Sequence, residues 1–118
     1  MSSYNQCVGR LGEDAAVEFL INQQFLIVHR NFRFRRGEID IIAIRETTTH
    51  FIEVKTRTGF NYGEGELAVN LSKQRTIRLV AEFYLQKFGL TTLNCCFDVI
   101  VIDIKQGISQ IRFIENAF

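Results

Sequence analysis

The sequence predicts an α/β fold, a mixed central sheet flanked by helices in the order α-β-β-β-α-β-β. Two observations carry this. Two helix-forming amphipathic stretches bracket three β-branched, strand-length runs, and two further runs close the chain. A three-strand meander with a later strand joining through a helical crossover makes the sheet mixed.

Residues 8–24 read as the first helix. Projected at ~100° per residue, Arg10, Asp14, Glu18 and Asn22 form a polar arc that also holds Leu11. Val8, Ala16, Val17, Phe19, Leu20 and Ile21 spread over the opposite, apolar arc, and Glu13 falls inside it. A carboxylate there either sits in an exposed first turn, where the helix dipole favours it, or reaches into a site. Residues 25–32 suit a strand. Ile39, Ile41, Ile42, Ala43 and Ile44 form the next, and Phe51, Ile52 and Val54 the third, with the polar stretch 45–50 as a hairpin connection. Residues 58–70 are glycine-containing and irregular. In the second helix, over residues 72–88, Ile77, Val80, Ala81, Tyr84, Leu85 and Phe88 recur at helical spacing. Lys73 and Gln74 extend that face, and Gly89 stands where a glycine ends a helix. Strands over 96–104 and 109–115 finish the chain.

The chain has 118 residues, of which 47% are hydrophobic and 12% aromatic. That suits a single domain spanning 1–118 with a real core. Proline is absent, and no low-complexity stretch or repeat marks a boundary. The apolar runs are strand-sized and the N-terminus lacks a signal-peptide core, so a cytoplasmic location with no membrane partner is expected. Three cysteines, two of them adjacent, without a C-x-x-C pair suit small buried residues in a reducing compartment rather than zinc or disulfides. His29 and His50 read as ordinary surface or edge residues.

Chemistry concentrates between Gly37 and Arg57. On a strand, positions i and i+2 share a face, so Glu38 and Asp40 point one way and Glu53 and Lys55 point one way on the neighbour. Two converging carboxylates repel unless neutralised, and hard oxygen donors select Mg²⁺ or Mn²⁺ over Zn²⁺. A nearby lysine can orient water or stabilise charge growing on a phosphate. The structural alternative is an interstrand ion pair of Lys55 with either carboxylate. Arg30, Arg33, Arg35 and Arg36, interleaved with Phe32 and Phe34, form a strip that can hold phosphates and offer rings for stacking. Alternatively it is an edge-strand solubility device with its phenylalanines in the core.

D…E-V-K on adjacent strands, preceded by a helix carrying Glu, resembles the PD-(D/E)XK restriction-endonuclease-like superfamily and, more distantly, archaeal Holliday junction resolvases. Four motifs in order are more specific: G-x-x-G-E-D-x-A from Gly9, N-F-R-x-R-x-G-E-I-D from Asn31, F-I-E-V-K-x-R from Phe51, and K-Q-R from Lys73. Together they resemble the bacterial YraN family. The resemblance implies a restriction-endonuclease-like fold and a Mg²⁺- or Mn²⁺-dependent DNA endonuclease. Phosphodiester hydrolysis by a metal-activated water would leave a 5′-phosphate and a 3′-hydroxyl, on branched or recombination-type DNA. It implies Asp40, Glu53 and Glu13 as metal ligands and Lys55 as the residue that positions the water. Arg57, Lys73 and Gln74 join the arginine strip as nucleic-acid contacts. A homodimer suits such substrates, because one small domain spans only part of a duplex. The alternatives are a nucleic-acid-binding module of the same fold without turnover, and a protein-interaction adaptor presenting Phe60 and Tyr62.

Overall fold

A computed structural model describes residues 3–58, 69–90 and 94–118, with side chains from residue 8 onward. Helix α1 (Ser3–Asn22) is followed by strands β1 (Leu26–Phe34), β2 (Gly37–Arg45) and β3 (Thr48–Thr58). Helix α2 (Leu71–Lys87), β4 (Asn94–Lys105) and β5 (Ile108–Ile114) complete the chain. Among the described residues the strands form one five-stranded sheet in the order β1-β2-β3-β4-β5. It is antiparallel except where α2 crosses over to bring β4 parallel to β3. The predicted α-β-β-β-α-β-β order and mixed sheet are what the structure has. No helix among the described residues is long and apolar enough to cross a membrane.

Each face of the sheet carries one core. Alternate residues of the central strands, including Phe51, Val99 and Val101, meet Ile77, Val80, Ala81 and Tyr84 of α2. The other set, Ile41, Ala43, Ile52, Ile100 and Ile102, meets Ala16 and Leu20 of α1. The buried line of α1 is narrower than the predicted arc, for Ile21 is exposed along with Leu11.

Helix α2 begins where Asn70, in extended conformation, accepts a hydrogen bond from Lys73 N at 2.8 Å. It ends in a paired 6→1 and 5→2 arrangement, with Leu90 N donating to Leu85 O at 2.8 Å and Gly89 N to Gln86 O at 3.3 Å. Gly89 takes φ +68°, the left-handed conformation that its position was expected to need.

Two boundaries differ from expectation. Helix α1 starts at Ser3, which puts Glu13 in mid-helix and removes the first-turn dipole explanation for it. The hairpin turn is only Glu46 and Thr47, with Glu46 at φ 57°, because Thr48, Thr49 and His50 pair with both β2 and β4 as strand residues. Most of the irregular 58–70 stretch, with Phe60 and Tyr62, lies outside the described residues.

Both helices approach the sheet through glycine. A Cβ on Gly12 would collide with the Thr56 hydroxyl, and one on Gly37 would come within 2.5 Å of Val80 Cγ2. Alanine in mid-helix would otherwise gain about 1 kcal/mol of helix propensity over glycine. Gly12→Ala is nonetheless expected to destabilise by ~1–3 kcal/mol through overpacking, and Thr56→Ala in the same chain should recover part of that loss. Urea unfolding of the two single variants and the double variant measures both effects.

Candidate functional site

The sheet divides in its middle. The β2–β3 ladder runs from Arg45↔Thr48 to Ile41↔Ile52 and stops there. Beyond it, β2 stays paired with β1 through Phe32↔Ile39 and Phe34↔Gly37, while β3 stays paired with β4 as far as Thr58↔Ile104. The two pairs therefore part like the arms of a fork, with Asp40 and Glu53 as the first residues past the split. Alternation also breaks here: Ile39 packs on the α2 side and Ile41 on the α1 side. Asp40 Oδ2 reaches across and accepts the Val54 amide at 2.8 Å, standing in for the carbonyl that a continued ladder would supply.

Asp40 forms a wall common to two cavities. One, of about 300 Å³ on the α1 side, is lined by Gly9, Glu13, Asp40, Val54, Thr56 and Thr58, among others. The other, of about 290 Å³ on the α2 side, includes Arg36, Glu38, Asp40, Glu53 and Lys73. Glu13 and Glu53 thus approach Asp40 from opposite faces of the sheet. Their oxygens and those of Asp40 do not all come within 4.8 Å of one another; among the described residues, only His50, Cys96 and Asp98 do so.

Electrostatics follow from the burial. Desolvation pushes the Asp40 carboxyl from 3.8 up to about 7, the Glu53 charge pushes the same way, and the Val54 amide opposes both. Burial also raises Glu53, against the pull of Lys73, and raises Glu13, against the pull of Arg30. Lys73 Nζ lies 2.9 Å from Glu53 Oε2, with the Glu53 side chain 5% exposed and the lysine 53%. Burial alone would lower Lys73, but the hydrogen bond and charge of Glu53 outweigh it and the pKa is raised. The remaining oxygens, Glu53 Oε1 and Glu13 Oε1, are buried and accept no hydrogen bond. On the α2 side, the hard oxygens of Asp40 and Glu53, their mutual repulsion and the unsatisfied Glu53 Oε1 fit a divalent cation of the Mg²⁺ or Mn²⁺ type.

Other expected residues fare differently. Lys55 is half-buried two residues beyond Glu53, opposite Val101, and among the described residues lines neither cavity. The lysine on Glu53 comes instead from α2. Its position four residues before Ile77, on the buried helix face, was the available signal. Arg30 pairs with Asp14 at 2.8 Å and approaches Glu13 at 3.8 Å. Arg33 pairs with Glu38 at 3.3 Å, and Arg36 lines the α2-side cavity. Arg57 makes a two-pronged pair with buried Asp103 at 2.7 and 3.0 Å, and the Gln74 amide donates to Val69 O at 2.7 Å, so both have structural employment.

The phenylalanines of the strip are not open platforms. Phe34 stacks on Phe83 at 3.9 Å, Phe32 packs edge-on against Tyr84, and Arg35 lies over the Phe34 ring. Their packing on α2 is the edge-strand alternative. His50 is buried rather than superficial, and Cys95 and Cys96 are exposed and half-buried rather than core residues. Parallel pairing of β3 with β4 makes His50 and Cys96 partners, a juxtaposition that local sequence does not announce.

The fold and the fork define an α/β domain with a buried acidic centre at a parted sheet. The model of uncharacterised protein family UPF0102 matches residues 12–102. A UPF0102 protein of Desulforapulum autotrophicum is 45% identical across 100% of this chain and 98% of its own length. One from Geobacter metallireducens is 45% identical over 100% and 97%, and one from Caldicellulosiruptor saccharolyticus 40% identical over 94% and 96%. The chain belongs to the UPF0102 family, the YraN family that the four motifs resemble.

A carboxyl whose native pKa is raised binds its proton more readily in the folded state, so stability falls as pH climbs from 3.8 towards about 7. In chelator-treated buffer the wild type should therefore weaken over this range. Asp40→Asn keeps an oxygen for Val54 N–H and should end roughly 2 kcal/mol more stable than wild type above neutrality. Thermal melts at mildly acidic and mildly alkaline pH check this.

Proposed function

We propose that the fork is the active site of a Mg²⁺- or Mn²⁺-dependent endonuclease acting on DNA phosphodiesters. The observation that carries this reading is the pair of half-buried Asp40 and buried Glu53 at the split, with raised pKa values and an unsatisfied oxygen on Glu53. Asp40 and Glu53 would hold the ion, with Glu13 approaching from the α1 side. A bound divalent ion supplies charge that polarises a phosphate and acidifies water.

The chain's own residues have separable tasks. The Val54 amide fixes the Asp40 carboxylate, and Lys73 fixes one oxygen of Glu53, leaving the other buried without a hydrogen bond. Lys55, on the same strand face as Glu53, would orient the attacking water or the phosphate. Arg36 at the cavity, with the exposed Arg33 and Arg35, would hold the flanking backbone. Two such domains acting together would suit branched DNA, whose paired strands need two cuts.

A nucleic-acid-binding module without turnover is the second reading. It is favoured by the failure of the Glu13, Asp40 and Glu53 oxygens to gather within 4.8 Å of one another and by Lys73 already pairing with Glu53.

Incubation with branched, flapped and duplex DNA in Mg²⁺ or Mn²⁺ separates the two. The nuclease reading expects cleavage that falls ~10²–10³-fold in Asp40→Asn, Glu53→Gln and Lys55→Ala, with DNA still bound. Equal cleavage rates for wild type and Lys55→Ala would sink the assignment. The module reading expects binding without cleavage. Removal of Arg33, Arg35 and Arg36 should then weaken binding and flatten its salt dependence by ~0.9 in log–log slope for each phosphate no longer neutralised.

A further inference from the structure

At the opposite end of the parallel β3–β4 pair lies a second cluster, with different donors. His50 and Cys96 are register partners, and Asp98 follows Cys96 on the same strand face. Asp98 Oδ2 lies 2.6 Å from His50 Nδ1, Cys96 Sγ lies 2.9 Å from the same nitrogen, and sulfur and carboxylate are 3.7 Å apart. Asp98 is fully buried and His50 is 4% exposed. Nδ1 is the ring nitrogen nearer to the sulfur, which lies 3.8 Å from Nε2. A relay with the carboxylate on Nδ1 and the thiol on Nε2 is therefore poorly served.

The same geometry suits a cation. The circle through the three donor atoms has a radius of roughly 1.9 Å, just below the ~2.0–2.3 Å of zinc bonds to nitrogen, oxygen and sulfur. An ion slightly off their plane reaches all three without rearrangement of the strands. The cluster opens on a cavity of about 660 Å³ whose walls include Gln23, Arg45, His50, Cys96 and Glu115. The far side is closed, because Asp98 Oδ1 is held by Asn116 N at 2.9 Å.

We infer that His50 Nδ1, Cys96 Sγ and Asp98 Oδ2 form a zinc-type site, three protein ligands with a fourth position open to water from the cavity. Mixed nitrogen, sulfur and oxygen donors favour a borderline-soft transition ion over Mg²⁺. On binding, the Cys96 S–H bond breaks, a sulfur–metal bond forms and the proton passes to solvent. Without the ion, a proton on Nδ1 serves the Asp98 carboxylate at 2.6 Å; coordination requires that proton to leave Nδ1, the neutral ring then keeping its one proton on Nε2. The ion would clip β3, β4 and, through Asp98, the C-terminal segment into one unit. None of these ligands takes part in the fork's chemistry.

Cobalt(II) titration of the full chain tests it. The expected result is a near-ultraviolet sulfur-to-cobalt band that survives Cys95→Ser and Asp40→Asn and disappears in Cys96→Ser, with one cobalt per chain bound in Asp40→Asn. No band in folded wild type, a band that persists in Cys96→Ser, or one that vanishes in Cys95→Ser would overturn it. Should Cys96→Ser not fold, melting of wild type and of Asp40→Asn with zinc decides. A rise in Tm for both supports the site, and no rise, or one confined to wild type, refutes it.

Discussion

The hydrogen bond from Val54 N to the Asp40 carboxylate is the interaction on which the centre of the molecule depends. Where β2 leaves β3, the Val54 amide loses its ladder acceptor, and a buried amide without one costs ~1–3 kcal/mol. A carboxylate answers that need from a side chain, so the strands can separate without orphaning the amide. The separation in turn opens a cavity on each face of the sheet. Helices α1 and α2 close over the two faces at glycines, Gly12 against Thr56 and Gly37 against Val80. A side chain at either position would hold its helix off and widen the site.

Stability does not account for the charges gathered there. Glu53 is buried and its partner Lys73 is exposed, so the desolvation of the carboxylate offsets much of what the pair gains. Asp40 goes further, since its ionised form is disfavoured in the fold by burial and by Glu53 together. An amide or hydroxyl could serve Val54 at lower electrostatic cost. The acidity of the site is better explained by a partner of opposite charge than by the needs of the sheet.

Much of this was legible because it is local. The period-2 runs and the helical recurrence of Ile77, Val80, Ala81 and Tyr84 give the element order, and Gly89 marks its helix end. Asp40 and Glu53 stood out as charges inside apolar strands. What escaped reading is non-local. Thr48 to His50 look like a loop in isolation and become strand because β2 pairs with them on one side and β4 on the other. Glu53 takes Lys73 from a helix twenty residues on instead of Lys55 two residues on, because alternation places Lys55 a full pleat further along the sheet. The phenylalanines of the arginine strip resembled stacking platforms until α2 covered them.

The parallel β3–β4 pair, finally, explains how two chemically different clusters coexist in so small a domain. His50 and Glu53 are three residues apart on one strand, so they point to opposite faces of the sheet, with the buried pair Phe51 and Ile52 between them. Glu53 belongs to an all-oxygen centre, suited to a hard ion that keeps much of its water. His50 faces sulfur and carboxylate across the register, donors suited to a borderline-soft ion held by the protein. Affinity series alone would let a zinc-type ion compete for both places. Donor softness gives it a better one, so such an ion would fill the cluster at His50 before it reached the carboxylates of the fork.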